Sequence, residues 1–280
     1  MMRNLSIRNI KIAIVYAVLV LLSIIFLIPL FWMISTSLKS DEEVMTAPIK
    51  WVPSTLRWDN YVKAVEAFPF LLYLRNTVFL TIINTIGTLL TGSLVAYSFA
   101  KLKWKGKRLL FAITIATMFI PGHVLVIPTY IVYSKLGWVN TYLPLIIPSW
   151  LGGGAFTIFL LRQFFISLPD EIIEAARLDG ASELAIFTKI VLPISVPALV
   201  TVSIFTVLFV WNDFFGPLIY LHKSELWTLS IGLRSFQQRY TTHWNLLMAA
   251  STLMSLPMIV IYFFLQDKIV KGFALKGGSH

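Results

Sequence analysis

Glu174-Ala175-Ala176-Arg177-Leu178-Asp179-Gly180, followed after nine residues by Ile190-Val191-Leu192-Pro193, is a polar, helix-forming stretch set between two long apolar segments. Just upstream, Ser167-Leu168-Pro169-Asp170-Glu171 reads as a helix start. Proline is tolerated in a first turn, and Asp170 and Glu171 complement the positive end of the helix. Gly180 suits the left-handed position that follows a helix, where a residue with a β-carbon costs about 1 kcal/mol or more. Ser182 can cap a second helix, with Leu184, Ile186, Phe187 and Ile190 as its apolar positions. Pro193 stops that helix or begins the next apolar segment. The expectation is two short helices at an angle, joined by a glycine turn and lying against a membrane face.

The membrane follows from composition. Of 280 residues, 58% are hydrophobic, and mean hydropathy is +0.80. A soluble domain of that length needs more polar surface. The formal charge of +10 sits mostly in short loops and tails beside apolar segments. That placement orients a membrane protein and does not call for nucleic acid. Cysteine is absent, which excludes disulfides and thiol chemistry. Arg3, Arg8 and Lys11 precede an apolar run over 12–38 that is too long for a signal-peptide core and ends without a small-x-small site. It reads as a retained first span.

A helix needs about 20 mostly apolar residues to cross the hydrocarbon. Six segments meet this: 12–37, 76–99, 109–133, 141–161, 194–221 and 246–265. The fold class is therefore all-α, a polytopic helical bundle. Lys101, Lys103, Lys105, Lys107 and Arg108 form a linker without an acid, and both tails (1–11 and 266–280) are basic. The positive-inside rule puts these in the cytoplasm, with both termini. It also puts 162–193 inside, and the loops 39–75 and 222–245 outside.

The spans carry almost no ionisable residues, and ion-coupled transporters usually need them. Asp213 and His123 are the main ones. Asp213 reads as an interfacial carboxylate, a helix-packing partner or a path-facing group. His123, in Pro121-Gly122-His123, reads as a hydrogen-bonded histidine at a bend. The sequence has no G-x-x-x-x-G-K-[ST], no H-E-x-x-H and no Cys/His cluster. It therefore cannot be its own P-loop ATPase, no metal or cofactor is expected on the chain, and no enzymatic chemistry. Pro121, Pro128, Pro144, Pro148 and Gly152-Gly153-Gly154 interrupt apolar helices. Irregular backbone at membrane depth is tolerated only inside protein or along a wet cavity, so these breaks either line a path or mark kinks and close packing. Asn84, Thr117, Trp211, Asn212 and Asp213 are the candidate path-facing groups.

The spacing Glu-Ala-Ala-x3-Gly-x9-Ile-x-Leu-Pro resembles the cytoplasmic loop of membrane subunits of ATP-binding-cassette importers. The order of spans, Trp211-Asn212-Asp213-Phe214 with Pro217-Leu218, and the tail through Lys271-Gly272-Phe273-Ala274-Leu275-Lys276-Gly277-Gly278 are similar to the second permease subunit of carbohydrate importers of the maltose type. The resemblance implies the type I importer permease fold in a prokaryotic plasma membrane. It implies a homologous second permease in a heterodimer, two copies of an ATPase that carry ATP and Mg2+, and an extracytoplasmic binding protein that delivers the sugar. Glu174, Ala175, Ala176, Asp179, Gly180, Ile190, Leu192 and Pro193 would form the ATPase-coupling surface. Glu174 would meet a basic residue of the ATPase, although Arg177, one turn on, can pair with it inside the chain. Tyr240, Thr241 and Trp244 would touch the binding protein, Trp244 reading equally as an interfacial anchor. The alternatives are a permease for glycerol 3-phosphate or a related polyol phosphate, and, from another class, an ion-coupled secondary transporter.

Overall fold

The computed structural model describes residues 2–237 and 242–274. Among these the chain is helical, and its one strand-like feature is an isolated bridge between Gln237 and Thr242. It divides into two compact units: 1–69 with 233–257, and 70–232 with the chain beyond 258.

The first unit opens on the helix Met2–Ser37. Its apolar stretch, Lys11–Ser37, has the length and composition of a span, and its most apolar window is unburied. Just past it, the Lys39 side chain is fully buried, donates to Lys50 O at 2.5 Å and lies 4.1 Å from the Trp32 ring centre. Asn60, in the helix Asp59–Glu66, donates to both Ser37 O and Lys39 O at 2.8 Å. The end of the first helix is thus tied down by side chains that satisfy its last carbonyls.

The second unit is built on the 32-residue helix Phe70–Lys101. Helices Leu143–Trp150, Ala155–Ile166 and Val196–Trp211 pack on it. Small residues permit the close approach. A β-carbon on Gly87 would stand 2.5 Å from the Trp150 ring, and one on Gly153 (φ +67°) would stand 2.9 Å from Thr88.

Four helices have the length and composition of a span: Lys11–Ser37, Phe70–Lys101, Leu143–Ile166 and Trp244–Phe264. The other two expected segments are bent pairs, and the sequence boundaries need correction there. Segment 109–133 turns by 94° between Lys107–Phe119 and Gly122–Lys135. Ile120 is extended (φ −83°, ψ 114°), as a residue before proline prefers. Segment 194–221 begins with a bend of 79° at Ser195, and its helix ends at Trp211. Residues 212–214 leave the helix before a short one, Phe215–Tyr220, resumes. Segment 141–161 is interrupted at 151–154, where three glycines in a row have positive φ, and then runs on to Ile166. Pro193 does not stop its helix. The chain stays helical from Glu183 through a π turn, Phe187–Val191, to Ile194.

Candidate functional site

The polar stretch between the apolar segments forms helix Asp170–Leu178, a turn, and helix Glu183–Ile186 running into the π turn. Gly180 has φ +82°. Its N–H donates to Arg177 O, and the Ala181 N–H donates to Ala176 O, both at 3.0 Å. These two bonds close the helix end in a Schellman motif. Ser182 Oγ accepts from the Ala185 N–H at 3.3 Å, capping the second helix. Pro169 stands just before the first helix, one position earlier than expected.

One face of this pair is anchored. Ile173, Ile186, Phe187 and Val191 are buried in one cluster with Ala96, Tyr97, Leu161, Phe165, Ala198 and Val202. Burying each such large aliphatic or aromatic side chain is worth roughly 1.5–3 kcal/mol, so the pair is held to three helices at once. Polar ties add to this. Glu183 accepts from the Tyr97 hydroxyl at 2.7 Å and from Arg177 Nε at 2.6 Å. Lys101 Nζ reaches Asp170 Oδ1 at 2.6 Å and Leu168 O at 2.7 Å. The Lys101 hydrogen bond holds the Asp170 carboxyl below the usual carboxylate range. Arg162 Nε donates to Phe99 O at 3.1 Å.

The other face is open. Of the coupling candidates, Glu174, Ala175, Asp179, Gly180 and Pro193 are exposed, whereas Ala176, Ile190 and Leu192 pack against the buried cluster. Arg177 pairs with Glu183 and not with Glu174. Among the described residues Glu174 has no side-chain hydrogen-bond or ion-pair partner. Leu178 is 89% and Leu184 64% exposed, beside Glu174 and Ala175 on this surface. Leu184 is thus not one of the inward apolar positions that its spacing predicts. Its neighbour Ile186 takes that place, because the second helix starts one residue after Ser182 and fixes the phase.

The path candidates separate. Asn84 and Asp213 line one cavity of about 290 Å³ among helices of the second unit. Asp213 Oδ1 accepts from the Gly216 N–H at 3.0 Å and starts the short 215–220 helix. Trp211 is buried, Asn212 is exposed and donates to Leu208 O, and Thr117 is exposed on a 3-10 turn, donating to Thr114 O. These three do not line that cavity. Ser149, Phe209 and Tyr220 do. Only their positions in the folded chain single them out, since each looks ordinary in an apolar segment. His123 is exposed and meets Phe215 edge-on at 5.2 Å, an aromatic contact in place of the expected hydrogen bond. Trp244 opens the helix Trp244–Ala274 and is partly exposed. Tyr240 and Thr241 lie outside the described residues, as does the tail from Leu275.

Helices apolar enough to cross a membrane, broken at glycine and proline, with a capped and anchored helix pair that shows a second open face, define a transport subunit of the ATP-binding-cassette importer type. Residues 88–274 match the binding-protein-dependent transport system inner membrane component family, and the chain belongs to it. It is a multi-pass inner-membrane protein with the type I importer permease fold. A putative ABC transporter permease of Caldicellulosiruptor sp. (strain Rt8B.4) is 35% identical over 89% of this chain and 92% of its own length. The arabinooligosaccharides transport system permease protein AraQ of Halalkalibacterium halodurans is 32% identical over 91% of this chain and 92% of its own. The crystal structure of a bacterial ABC transporter involved in the import of the acidic polysaccharide alginate aligns with a TM-score of 0.80 at 24% identity, over 91% of this chain and 95% of that one.

Proposed function

We propose that this chain is half of the translocation path for a carbohydrate, an oligosaccharide or glycoside, that an extracytoplasmic binding protein delivers. Its relatives that carry arabinooligosaccharides and diacetylchitobiose support that substrate class. In this reading a homologous second permease completes the path as a heterodimer. Two copies of an ATPase bind ATP and Mg2+ and hydrolyse the nucleotide, and this chain binds neither. The loop 162–193 and both termini face the cytoplasm, where the ATPases dock.

The observation that carries this reading is the two-faced helix pair. Glu174, Ala175, Asp179 and Gly180, with Leu178 and Leu184, offer the motor an open surface, while Ile173, Ile186, Phe187 and Val191 grip helices 70–101, 155–166 and 196–211. When ATP binding closes the ATPases, the pair moves as a piece and carries the helices packed on it. The bends at Ile120 and Ser195 absorb the change. Net bias requires that the open surface bind the two ATPase states unequally, since equal binding shifts nothing. Asn84 and Asp213 face the path.

The test is reconstitution of the complex in proteoliposomes with binding protein outside and ATP inside. Uptake of sugar that needs both ATP and the binding protein is expected. Uptake by this chain alone, without ATPase, overturns the reading in favour of a self-sufficient transporter.

A further inference from the structure

Asn84 sits in the middle of the helix Phe70–Lys101 and is 1% exposed. Its amide nitrogen is committed to Leu80 O at 2.8 Å, and its Oδ1 has no partner. A buried acceptor without a donor is rare in a folded protein and calls for an explanation. Here the same residue lines the 290 Å³ cavity, and the Asp213 carboxylate borders that space. A second cavity, of about 430 Å³, shares Ser149, Phe209 and Val210 as walls. Among the described residues that line either cavity, none is Lys, Arg or His. The threonine hydroxyls there are engaged: Thr77 Oγ1 donates to Tyr73 O and accepts from the Leu229 N–H, and Thr228 pairs with Ser230, each at 2.9 Å. The wall therefore offers a free amide acceptor and a carboxylate, together with the rings of Tyr133, Phe209 and Tyr220.

We propose that this cavity is a saccharide subsite within this subunit and that it selects neutral sugars over acidic ones. The inference rests on the carbohydrate reading above. Sugar hydroxyls supply the donors that Asn84 Oδ1 and Asp213 lack, and the C–H faces of the ring rest on the aromatic walls. A few placed polar groups in a largely apolar cavity fix orientation in this way. A uronate or a sugar phosphate brings a second negative charge beside Asp213 with no lining cation to offset it, which is unfavourable at close range. The chemistry is that of a hydroxyl-rich, uncharged ligand.

The experiment uses the reconstituted complex and a panel of arabinotriose, maltotriose and diacetylchitobiose, with trigalacturonate as the acidic member. Three variants are compared with the parent. Asp213→Asn keeps an acceptor for the Gly216 N–H and removes the charge. Asn84→Leu removes the free acceptor at similar volume. Gly216→Ala places a β-carbon 2.5 Å from the second Asp213 oxygen and displaces the carboxylate without deleting it. Loss of a hydrogen bond at each site raises the KM of the transported neutral sugar about tenfold. ATP hydrolysis stimulated by the loaded binding protein stays near the parent rate, which shows that each variant folds and couples. Asp213→Asn also narrows the margin against trigalacturonate. If the parent moves a neutral sugar and all three variants keep its KM and its margin, the subsite is refuted and the carbohydrate reading stands. If the parent moves no sugar of the panel while hydrolysing ATP, the carbohydrate reading falls, and the subsite with it.

Discussion

The Tyr97 hydroxyl donates to Glu183 Oε2 at 2.7 Å, so a residue deep in the helix Phe70–Lys101 is bonded to the first residue of the second loop helix. The same carboxylate holds Arg177 of the first loop helix through its other oxygen at 2.6 Å. One side chain therefore joins both loop helices to a spanning helix. Tyr97→Phe keeps the buried ring and removes the tie. A hydrogen bond to a charged group is worth about 1.5–3 kcal/mol, and the partly exposed Glu183 reduces that to roughly 1 kcal/mol here. The complex is expected to assemble normally and to move less sugar per ATP hydrolysed. Transport and hydrolysis measured on the same vesicles give the ratio, and an unchanged ratio means the tie transmits nothing.

The Lys101–Asp170 pair predicts a pH dependence. The hydrogen bond from Lys101 depresses the Asp170 carboxyl below its ordinary value of 3.8. A depressed carboxylate contributes stability that is present above the unfolded pKa and lost as pH falls through the folded one. Protection of the 170–178 backbone, corrected for intrinsic exchange rates, should therefore be constant from neutral pH to about 5. It should fall only below the carboxylate range. Asp170→Asn should show the reduced protection at every pH. A decline already between pH 7 and 6 would point to some other group.

Gly180 predicts a purely backbone effect. The space around it is open, so an added β-carbon meets no neighbour. The cost of Gly180→Ala is the left-handed conformation itself, about 1–2 kcal/mol. Gly180→Asn should lose less, since asparagine tolerates that region. Exchange at the Gly180 and Ala181 amides reads the closing bonds directly. Equal losses in the two variants would locate the effect elsewhere.

Glu174 predicts the opposite pattern. It is exposed and makes no bond within the chain among the described residues. Glu174→Gln should leave the subunit's own stability within about 0.5 kcal/mol of the parent. Co-purification of the ATPase, or sugar-stimulated hydrolysis, should fall severalfold. Normal retention of the ATPase by this variant would remove Glu174 from the docking surface.

Much of the fold can be read from the sequence. Each expected span is present, because twenty apolar residues leave the backbone no other way to bond itself in lipid. The loop pair is equally legible, since Asp170, Gly180 and Ser182 each act on their own backbone, and capping is local. What fails is what folding brings back from a distance. The one-turn rule pairs Arg177 with Glu174. The turn at Gly180 returns the chain so that Glu183 competes for the same guanidinium and takes it. The exit from the helix at 212–214 is similarly invisible, with apolar residues on both sides of it. The site is legible as a list of polar residues. That Asn84 and Asp213 share a cavity, and Thr117, Trp211 and Asn212 do not, depends on how helices 70–101, 143–150 and 196–211 close together.

The π turn at Phe187–Val191 holds one residue more than an α turn needs. Each residue of a helix rotates the chain after it by about 100°. Deleting one residue there would let the loop helix close as regular α, and would turn the next helix by more than a quarter revolution about its axis. Ala198, Thr201 and Val202, now buried, would swing off their seats. The extra residue thus sets the clocking of everything downstream. A single-codon deletion at 187–191 should abolish transport while the docking helix keeps its shape.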